Sequence, residues 1–234
     1  MHPGVASAQE ALLLGWEECR LTGLADEAFT CGANDQTIEL FCAFRLPFGT
    51  GADVIGVEAV VDVQHSQAAL PDWWLMAASG QCRSGALTAG ADFSAVSACV
   101  DPWRGAATAE IQAFDIGMPR GGANQVRILA VAGLPSDSAR TISASDVCYG
   151  VKIRIHTMKT NGPGSCVGCS DGACLVLNGI TVRRLPGAPG GDLKLTIPAA
   201  GDGNRVTWRG GAGADCALVP VRAVTWGRIK SLYR

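Results

Sequence analysis

The sequence contains few of the residues on which enzymes and nucleic-acid-binding proteins rely. Of its 234 residues, three are histidine and two are tyrosine, and the formal net charge is −2. Lysine occupies only four positions, so there is no basic cluster for nucleic acid or for an anionic membrane surface. No apolar run approaches the roughly 20 residues that a membrane-spanning helix requires. We therefore expect neither a nucleic-acid partner nor insertion into a membrane.

Motifs of metal and phosphate sites are also scarce. The three histidines, His2, His65 and His156, form no H-E-x-x-H zinc motif, and the chain has no phosphate loop. His65 ends a predicted strand near Asp62, but side chains three apart in a strand face opposite sides, so Asp62 cannot orient it. Copper ligation by an N-terminal histidine needs a free amine at His2, which follows Met1. We therefore predict no catalytic or metal-binding histidine.

Carboxylate pairs for glycoside hydrolysis cannot be recognised from sequence, because the two partners meet only in the folded chain. Six acidic residues are candidates: Glu58, Asp62, Asp72, Asp101, Glu110 and Asp115. Most lie on predicted outer faces or in turns, where a solvated carboxylate is the common state. A structural calcium ion is an alternative at 32–37 (GANDQT) and 168–174 (GCSDGAC), although neither segment has EF-hand spacing. No other cofactor is expected.

Cysteine is the residue that the chain has in excess. The ten cysteines are Cys19, Cys31, Cys42, Cys82, Cys99, Cys148, Cys166, Cys169, Cys174 and Cys216. Cytosolic proteins rarely carry so many, so we predict that all ten form disulfides in an extracellular or cell-surface protein. Cys19–Cys31 and Cys82–Cys99 are the easiest local pairs. The segment 6–8 (ASA) reads either as the end of a secretory signal or as an ordinary small-residue tail.

The segment SCVGCSDGAC, residues 165–174, holds three of these cysteines. A ribbon-type zinc site needs two C-x2-C pairs, and this chain has one, at Cys166 and Cys169. A thioredoxin-type motif should precede a long helix, whereas the neighbours here are glycine, serine and aspartate. A direct Cys166–Cys169 bridge would be strained. We therefore expect these cysteines to pair outward, with neighbouring cysteines or with Cys148 and Cys216.

Alternation of apolar and polar residues dominates the chain, and no long segment has the period of a helix. Residues 54–64 place Val57, Val61 and Val63 on one face, while 148–156 place Ile153 inward and Lys152 outward. Further strands are predicted at 37–46, 73–77, 109–116, 124–134, 174–185, 193–197 and 204–208. Short helical turns are predicted after residue 226.

These patterns predict an all-β fold, specifically a disulfide-stapled β-sandwich of jelly-roll type with a small C-terminal extension. Residues 1–15 are assigned to an N-terminal tail and 16–186 to the sandwich domain. The linker-like segment PGAPGGD begins the extension, 187–234, which is too short to fold alone without staples. We expect it to dock on the sandwich, held by Cys216 and by Trp208 and Trp226.

The order of features from Phe41 to Val182 resembles that of cohesins and of carbohydrate-binding modules built as β-sandwiches. In those families a strand such as GVEAVVDV precedes a stretch where the chain turns away, here SQAALPDWW. Strands like NQVRILAVAGL, CYGVKIRIH and ACLVLNGITV then follow. The chain also resembles exported bacterial proteins, and its cysteine content departs from the cohesin pattern. The resemblance implies an extracellular binding or assembly module and carries over no catalytic residue.

Tryptophan is the remaining signal, with six residues in the chain. Sugar-binding modules stack pyranose rings on exposed aromatic rings. Trp73, Trp74 and Trp103 lie in predicted loops near cysteines and are the candidate ligand-binding residues. The alternative is that their rings pack over the disulfides.

We predict a secreted, non-catalytic structural or assembly protein of the cell surface. Its partners would be copies of itself or other extracellular proteins. One alternative is a carbohydrate-binding module that contacts polysaccharide through exposed tryptophans. A second alternative is a glycoside hydrolase that uses two of the acidic residues.

Overall fold

The computed structural model describes residues 9–47, 50–77 and 79–216. Twelve strands and three short 3₁₀ turns form the regular structure of these residues. The strands are β1 (Ala11–Trp16), β2 (Asp26–Glu27), β3 (Thr37–Arg45), β4 (Thr50–His65), β5 (Leu87–Gly90), β6 (Thr108–Ile116), β7 (Gln125–Gly133), β8 (Arg140–Ser143), β9 (Cys148–His156), β10 (Ala173–Arg184), β11 (Leu193–Leu195) and β12 (Arg205–Trp208). The 3₁₀ turns are Asp72–Trp74, Ser136–Ser138 and Arg209–Gly211. The all-β prediction is confirmed.

The strands form two sheets, neither of which closes on itself. The four-stranded sheet has the order β1-β3-β9-β5. The eight-stranded sheet has the order β2-β12-β10-β4-β7-β6, with β11 paired to β10 and β8 paired to β4. The short β2–β12 pair is parallel, and the other named pairs are antiparallel. Most strand contacts therefore join segments that are distant in the chain.

Both sheets bury side chains in one continuous hydrophobic core. Val57, Val61 and Val63 on β4 are at most 1% exposed, and Ile153 on β9 is fully buried. The predicted inward faces of these two strands are confirmed, because each apolar residue of the alternating pattern enters the core. The predicted outward position of Lys152 differs, since its side chain is buried and ion-paired.

The fold corrects three assignments. The predicted tail 1–15 contains most of β1, whose buried apolar residues pair with β3. Residues 73–77 begin in a 3₁₀ turn rather than forming a strand. Residues 193–195 and 205–208 pair with β10, so this part of the predicted extension completes the large sheet instead of docking on it. In the first and third cases the reason is the same, because backbone pairing satisfies the polar groups of segments that the core already buries.

Several predictions fall outside the described residues. These are the signal-like segment 6–8, His2, and the helical turns and Trp226 contact near the C-terminus.

No helix among the described residues is long and apolar enough to cross a membrane.

Four disulfides connect distant parts of the fold. They are Cys19–Cys99, Cys31–Cys169, Cys82–Cys166 and Cys174–Cys216. The two local pairs expected from spacing are wrong, because the sheets separate the close cysteines and bring remote ones together. Cys166 and Cys169 pair outward as expected, but with Cys82 and Cys31 rather than with Cys148, and Cys174 pairs with Cys216 as expected.

Two cysteines form no disulfide, which corrects the prediction that all ten do. Cys42 on β3 and Cys148 on β9 are buried free thiols. They lie on neighbouring strands but are not partners in register, since Cys42 faces Val151 and Cys148 faces Phe44. Burial raises the pKa of each thiol to about 12. Both therefore stay protonated and unreactive at neutral pH.

Candidate functional site

The tryptophans proposed as ligand-binding residues are buried. Trp73, Trp74 and Trp103 are each 0% exposed. The indole Nε1 of Trp103 donates to the Gly150 carbonyl at 2.8 Å, and that of Trp73 donates to Thr160 Oγ1 at 2.9 Å. Because no ring face is open to solvent, these residues cannot stack on a sugar in this conformation. They pack inside the protein.

Two of these rings belong to an aromatic cluster around Trp208. Its ring centroid lies 5.0 Å from that of Trp73, 5.7 Å from that of Trp74 and 5.9 Å from that of Trp16. The fully buried Arg83 stacks on Trp73, with its Cζ 3.7 Å from the ring centroid. Arg83 also donates to three backbone carbonyls, which compensate for its desolvation. This cluster is a structural element of the core.

Internal partners hold both described histidines. His65 is fully buried, and its Nδ1 accepts the Gln67 amide N–H at 3.1 Å. Burial is the main cause that lowers the pKa of His65, which favours a neutral ring. The ring nitrogens of His156 each lie 3.0 Å from a threonine hydroxyl, of Thr37 and of Thr88. Hydrogen bonds with neighbouring residues thus orient both imidazole rings.

The cysteine-rich segment also contains a motif that was not considered above. Residues 168–172, GCSDG, match the G-x-S-x-G pattern of hydrolase nucleophile elbows. Such an elbow leads from a strand into a helix, whereas this segment is a turn before β10 that the Cys31–Cys169 disulfide anchors. Ser170 is exposed while His65 is buried with Nδ1 engaged. The segment therefore lacks the strand-to-helix geometry of a nucleophile elbow.

Asp62, one of the six acidic candidates, is buried in an ion pair. Its two carboxylate oxygens each accept a hydrogen bond from Arg127 at 2.7 Å, and Asn178 Nδ2 donates to the same carboxylate. Strand alternation places Asp62 on the face of β4 opposite Val61, away from the core. All of these contacts bind the charged carboxylate, so Asp62 has a structural role.

Two other acidic candidates meet at a surface groove. Glu58 and Glu110 line a cleft of about 490 Å³ along β4, β7 and β6. Glu58 is ion-paired with Arg183, which also lines the cleft. We refer to this cleft as the Glu58 groove. The remaining three candidates line neither this groove nor the one described next: Asp72, Asp101 and Asp115.

The two segments considered for calcium serve as turns. In 32–37, Asn34 Oδ1 accepts the amide N–H groups of Thr160 and Asn161 at 2.7 and 3.0 Å. In 168–174, two cysteines are bound in disulfides. Within the described ranges, no group of three or more histidine, cysteine, aspartate or glutamate residues could hold a metal ion. Asn34 Oδ1 thus fixes the loop 32–37, and two disulfides anchor 168–174.

A second cleft, the acidic groove, lies where β1 ends. It has a volume of about 490 Å³. Its lining residues are Glu17, Glu27, Phe29, Gln36, Thr37, Ile38 and Glu39. The β1–β3 pairing stops at Trp16 and Leu40, and Glu17 then turns the chain away with a φ of 62°. This left-handed conformation is costly for a residue with a side chain, and it opens the groove beside β3.

The turn after β1 is held in place from two sides. The backbones of Trp16 and Leu24 exchange hydrogen bonds of 3.0 and 3.1 Å. The disulfide Cys19–Cys99 ties the same turn to a distant loop. Gly23 is required here, because a Cβ at this position would lie 2.2 Å from a backbone oxygen. These constraints bring the chain back into β2 and place Glu27 in the wall of the groove.

The charges of the groove are unevenly compensated. Glu39 is ion-paired with Lys152 at 2.8 Å and with Arg154 at 2.9 Å. Neither Glu17 nor Glu27 forms an ion pair with a described residue. Glu27 is only 8% exposed, and its Oε2 is buried with no hydrogen-bond partner in the described part of the chain. The Glu17–Glu27 end therefore lacks a cation.

The environment of Glu27 favours its neutral form. Burial is the largest cause that raises the pKa of Glu27, and repulsion from Glu17 follows. Asp26 adds to this repulsion, whereas the backbone amides of Phe29 and Ala28 lower the pKa of Glu27 in part. A carboxyl in a cleft with a pKa raised by burial and by a neighbouring carboxylate is a common property of functional sites. We take the acidic groove as the candidate site.

Two of the groove's lining residues, Gln36 and Thr37, belong to the calcium candidate 32–37, but none of its three glutamates was nominated from the sequence. Its three glutamates come from the end of β1, from β2 and from β3, and they meet only through strand pairing. One signal could have found them, since six acidic residues and one basic residue fall between positions 17 and 39. Local charge excess alone does not distinguish a solvated face from a cleft.

Comparison of the chain with protein-family models, with curated proteins and with solved structures gives no match in any of the three. The function is therefore argued from the geometry of the chain itself.

Replacing Glu27 with glutamine should raise the melting temperature at about pH 7. The folded state favours the protonated carboxyl, so this group stabilises the fold below its unfolded pKa, and that contribution is lost as pH rises through its raised pKa. Glutamine mimics the protonated form at every pH. We expect a gain on the order of 1 kcal/mol at neutral pH and none near pH 4.

Differential scanning calorimetry at the two pH values measures this effect. Glu110→Gln is the matched control, because Glu110 is exposed on β6. The control should melt like the wild type at both pH values. A lower melting temperature of Glu27→Gln near pH 7 would contradict the assignment of an uncompensated buried carboxyl.

Proposed function

We propose that this protein is an extracytoplasmic, non-catalytic assembly or structural protein that recognises a partner through its surface. The observation that carries the proposal is the set of four disulfides, which join segments separated by 42 to 138 residues. Such bridges form and persist in oxidising compartments. They constrain the unfolded chain most when they close long loops, which suits a protein exposed to harsh conditions outside the cell.

We infer further that the two sheets pack face to face as a β-sandwich of jelly-roll type. The shared core supports this arrangement, since buried residues of the four-stranded and eight-stranded sheets belong to one cluster. Antiparallel pairing between remote strands is typical of such folds. A rigid sandwich would present its edges and clefts as fixed recognition surfaces.

The placement of polar side chains also supports a non-catalytic role. His65, Asp62 and Arg83 are buried and bound by internal partners. His156 is held by two threonine hydroxyls. Catalytic groups need access to substrate and to a transferable proton. These four residues stabilise the structure instead.

Assembly is tested by light scattering coupled to size-exclusion chromatography over a wide range of protein concentration. We expect the oxidised protein to form oligomers as its concentration rises, or to form a complex with a surface component from the same cells. A monomer at every concentration that also retains no surface component would overturn the proposal.

The Glu58 groove favours one second candidate, a glycoside hydrolase. Glu58 and Glu110 were both proposed as acidic candidates, and they line the same cleft. A pair of carboxylates flanking a cleft is the arrangement that glycoside hydrolysis requires. Release of reducing sugar from a polysaccharide panel, lost in both Glu58→Gln and Glu110→Gln, would favour this candidate over the first. The carbohydrate-binding alternative has no exposed candidate tryptophan to support it.

A further inference from the structure

The acidic groove holds one buried carboxylate oxygen without a partner, on Glu27, beside the exposed Glu17, which has no ion-pair partner among the described residues. Glu27 lines the groove, is more than nine-tenths buried, and leaves Oε2 without a partner among the described residues. Glu17 lies close enough to raise the pKa of Glu27 by repulsion. Seven described residues have a buried side-chain polar atom without a partner, and Glu27 is the one among them that lines either groove. An unpaired buried acceptor is costly, and at this position a ligand in the groove can supply the missing donor.

The backbone of β3 is open at the same place. Thr157 donates from its N–H to Gln36 O at 2.9 Å, which fixes residues 36, 38 and 40 as the ones whose backbone groups face β9. Residues 37 and 39 therefore face the other way. Glu39 O accepts the Glu17 N–H at 2.8 Å, and β1 pairing extends no further. Within residues 9–47, 50–77 and 79–216, no strand pairs with the N–H and C=O of Thr37 on this edge of β3.

We propose that the acidic groove binds an extended peptide segment of a partner, with an arginine side chain directed at Glu27 and Glu17. The peptide backbone pairs with Thr37 on the open edge of β3, as in other cases of strand addition. This inference rests on the proposed assembly function, because it names the chemistry by which a partner is recognised.

The chemistry of the groove matches a guanidinium group. A planar guanidinium carries five N–H donors and can donate to two carboxylates at once. Its charge would remove the repulsion between Glu17 and Glu27 and satisfy the unpartnered Oε2. The described carboxylates do not form a cluster that could hold a metal ion, so an organic cation fits the groove better.

The other residues of the groove determine the orientation of the bound peptide and favour arginine at one end of the groove. Phe29 supplies an apolar wall for the methylene groups of the arginine side chain. Lys152 and Arg154 already neutralise Glu39, so the negative potential is concentrated at the Glu17–Glu27 end. An extended segment that follows β3 would therefore place its basic residue at that end.

Titration calorimetry of the full chain with the capped tripeptide acetyl-Val-Arg-Val-amide tests the proposal. The control peptide carries citrulline, which keeps the shape of arginine without its charge. We expect the arginine peptide to bind, the citrulline peptide to bind at least about tenfold more weakly, and binding to weaken as salt is added. Amide NMR signals of Thr37 and Ile38 should shift on binding.

Two variants separate the groove from general surface charge. Glu27→Gln should lose about tenfold or more in affinity while remaining folded. Asp137→Asn, at an exposed carboxylate in the turn Ser136–Ser138, should bind like the wild type. No binding at about 1 mM peptide, equal binding of the citrulline peptide, or equal losses in both variants would overturn the proposal. Capped arginine binding as tightly as the tripeptide would overturn the strand-pairing part.

These outcomes do not depend on the oligomeric state. A protein that fails the assembly test but binds the arginine peptide would keep the site and lose the proposed function. A protein that assembles but ignores the peptide would keep the function and lose this site.

Discussion

Replacing Trp208 with alanine should lower the free energy of unfolding by about 3–5 kcal/mol. Trp208 is fully buried, and its ring packs against three other tryptophans and against Phe29. Its Nε1 donates to the Cys169 carbonyl at 2.7 Å. Alanine would leave a large cavity between β12 and the 3₁₀ turn Asp72–Trp74, and it would leave that carbonyl unpaired. Because domains are stable by about 5–15 kcal/mol, a large part of the stability would disappear.

Urea denaturation followed by fluorescence and circular dichroism measures the loss. Trp208→Phe is the graded variant, since it retains an aromatic ring and removes the N–H donor, so its loss should be smaller than that of alanine. Ile116→Ala is the surface control, because Ile116 on β6 is 45% exposed and its replacement should change stability by less than about 0.5 kcal/mol. A loss below about 1 kcal/mol for Trp208→Ala would show that the cluster does not support the fold.

Removing the Cys31–Cys169 disulfide by replacing both cysteines with serine should cost about 2–5 kcal/mol. The two cysteines are 138 residues apart, the widest separation of the four bridges. The bridge restricts the unfolded chain over more than half of its length, and it anchors the turn that precedes β10. We expect this variant to unfold at a lower urea concentration and to aggregate more readily on heating.

The Cys174–Cys216 double variant provides the comparison, since its bridge spans 42 residues. In the chain-entropy model the shorter loop should lose about 1 kcal/mol less than the longer one. Mass spectrometry after alkylation in denaturant without reductant counts the free cysteines of the wild-type protein before the variants are compared. Two cysteines, Cys42 and Cys148, should react in the wild type. Alkylation of most of the ten cysteines would contradict the disulfide assignment. Equal losses of unfolding free energy in the two double variants would contradict the dependence on loop length.

The sequence by itself determined the properties that depend on local periodicity. The alternating residues of β4 and β9 predicted their buried faces, because successive side chains of a strand point to opposite sides. Composition, rather than periodicity, predicted a disulfide-rich protein, because a high cysteine content is typical of proteins in oxidising compartments. Local periodicity did not predict strands that depend on a neighbouring strand. An example is β1, which was assigned to a tail and is buried because it pairs with β3.

Only the tertiary structure decided which residues meet. The pairing of Cys31 with Cys169, and the lack of a partner for Cys42 and Cys148, follow from the order of strands in the sheets rather than from spacing. The same order buried the tryptophans that composition had suggested for sugar binding. It also assembled the acidic groove from Glu17 and Glu27, which belong to different elements. Strand pairing is a non-local interaction, so its register and its partners are set by the packing of the whole core and not by any single segment.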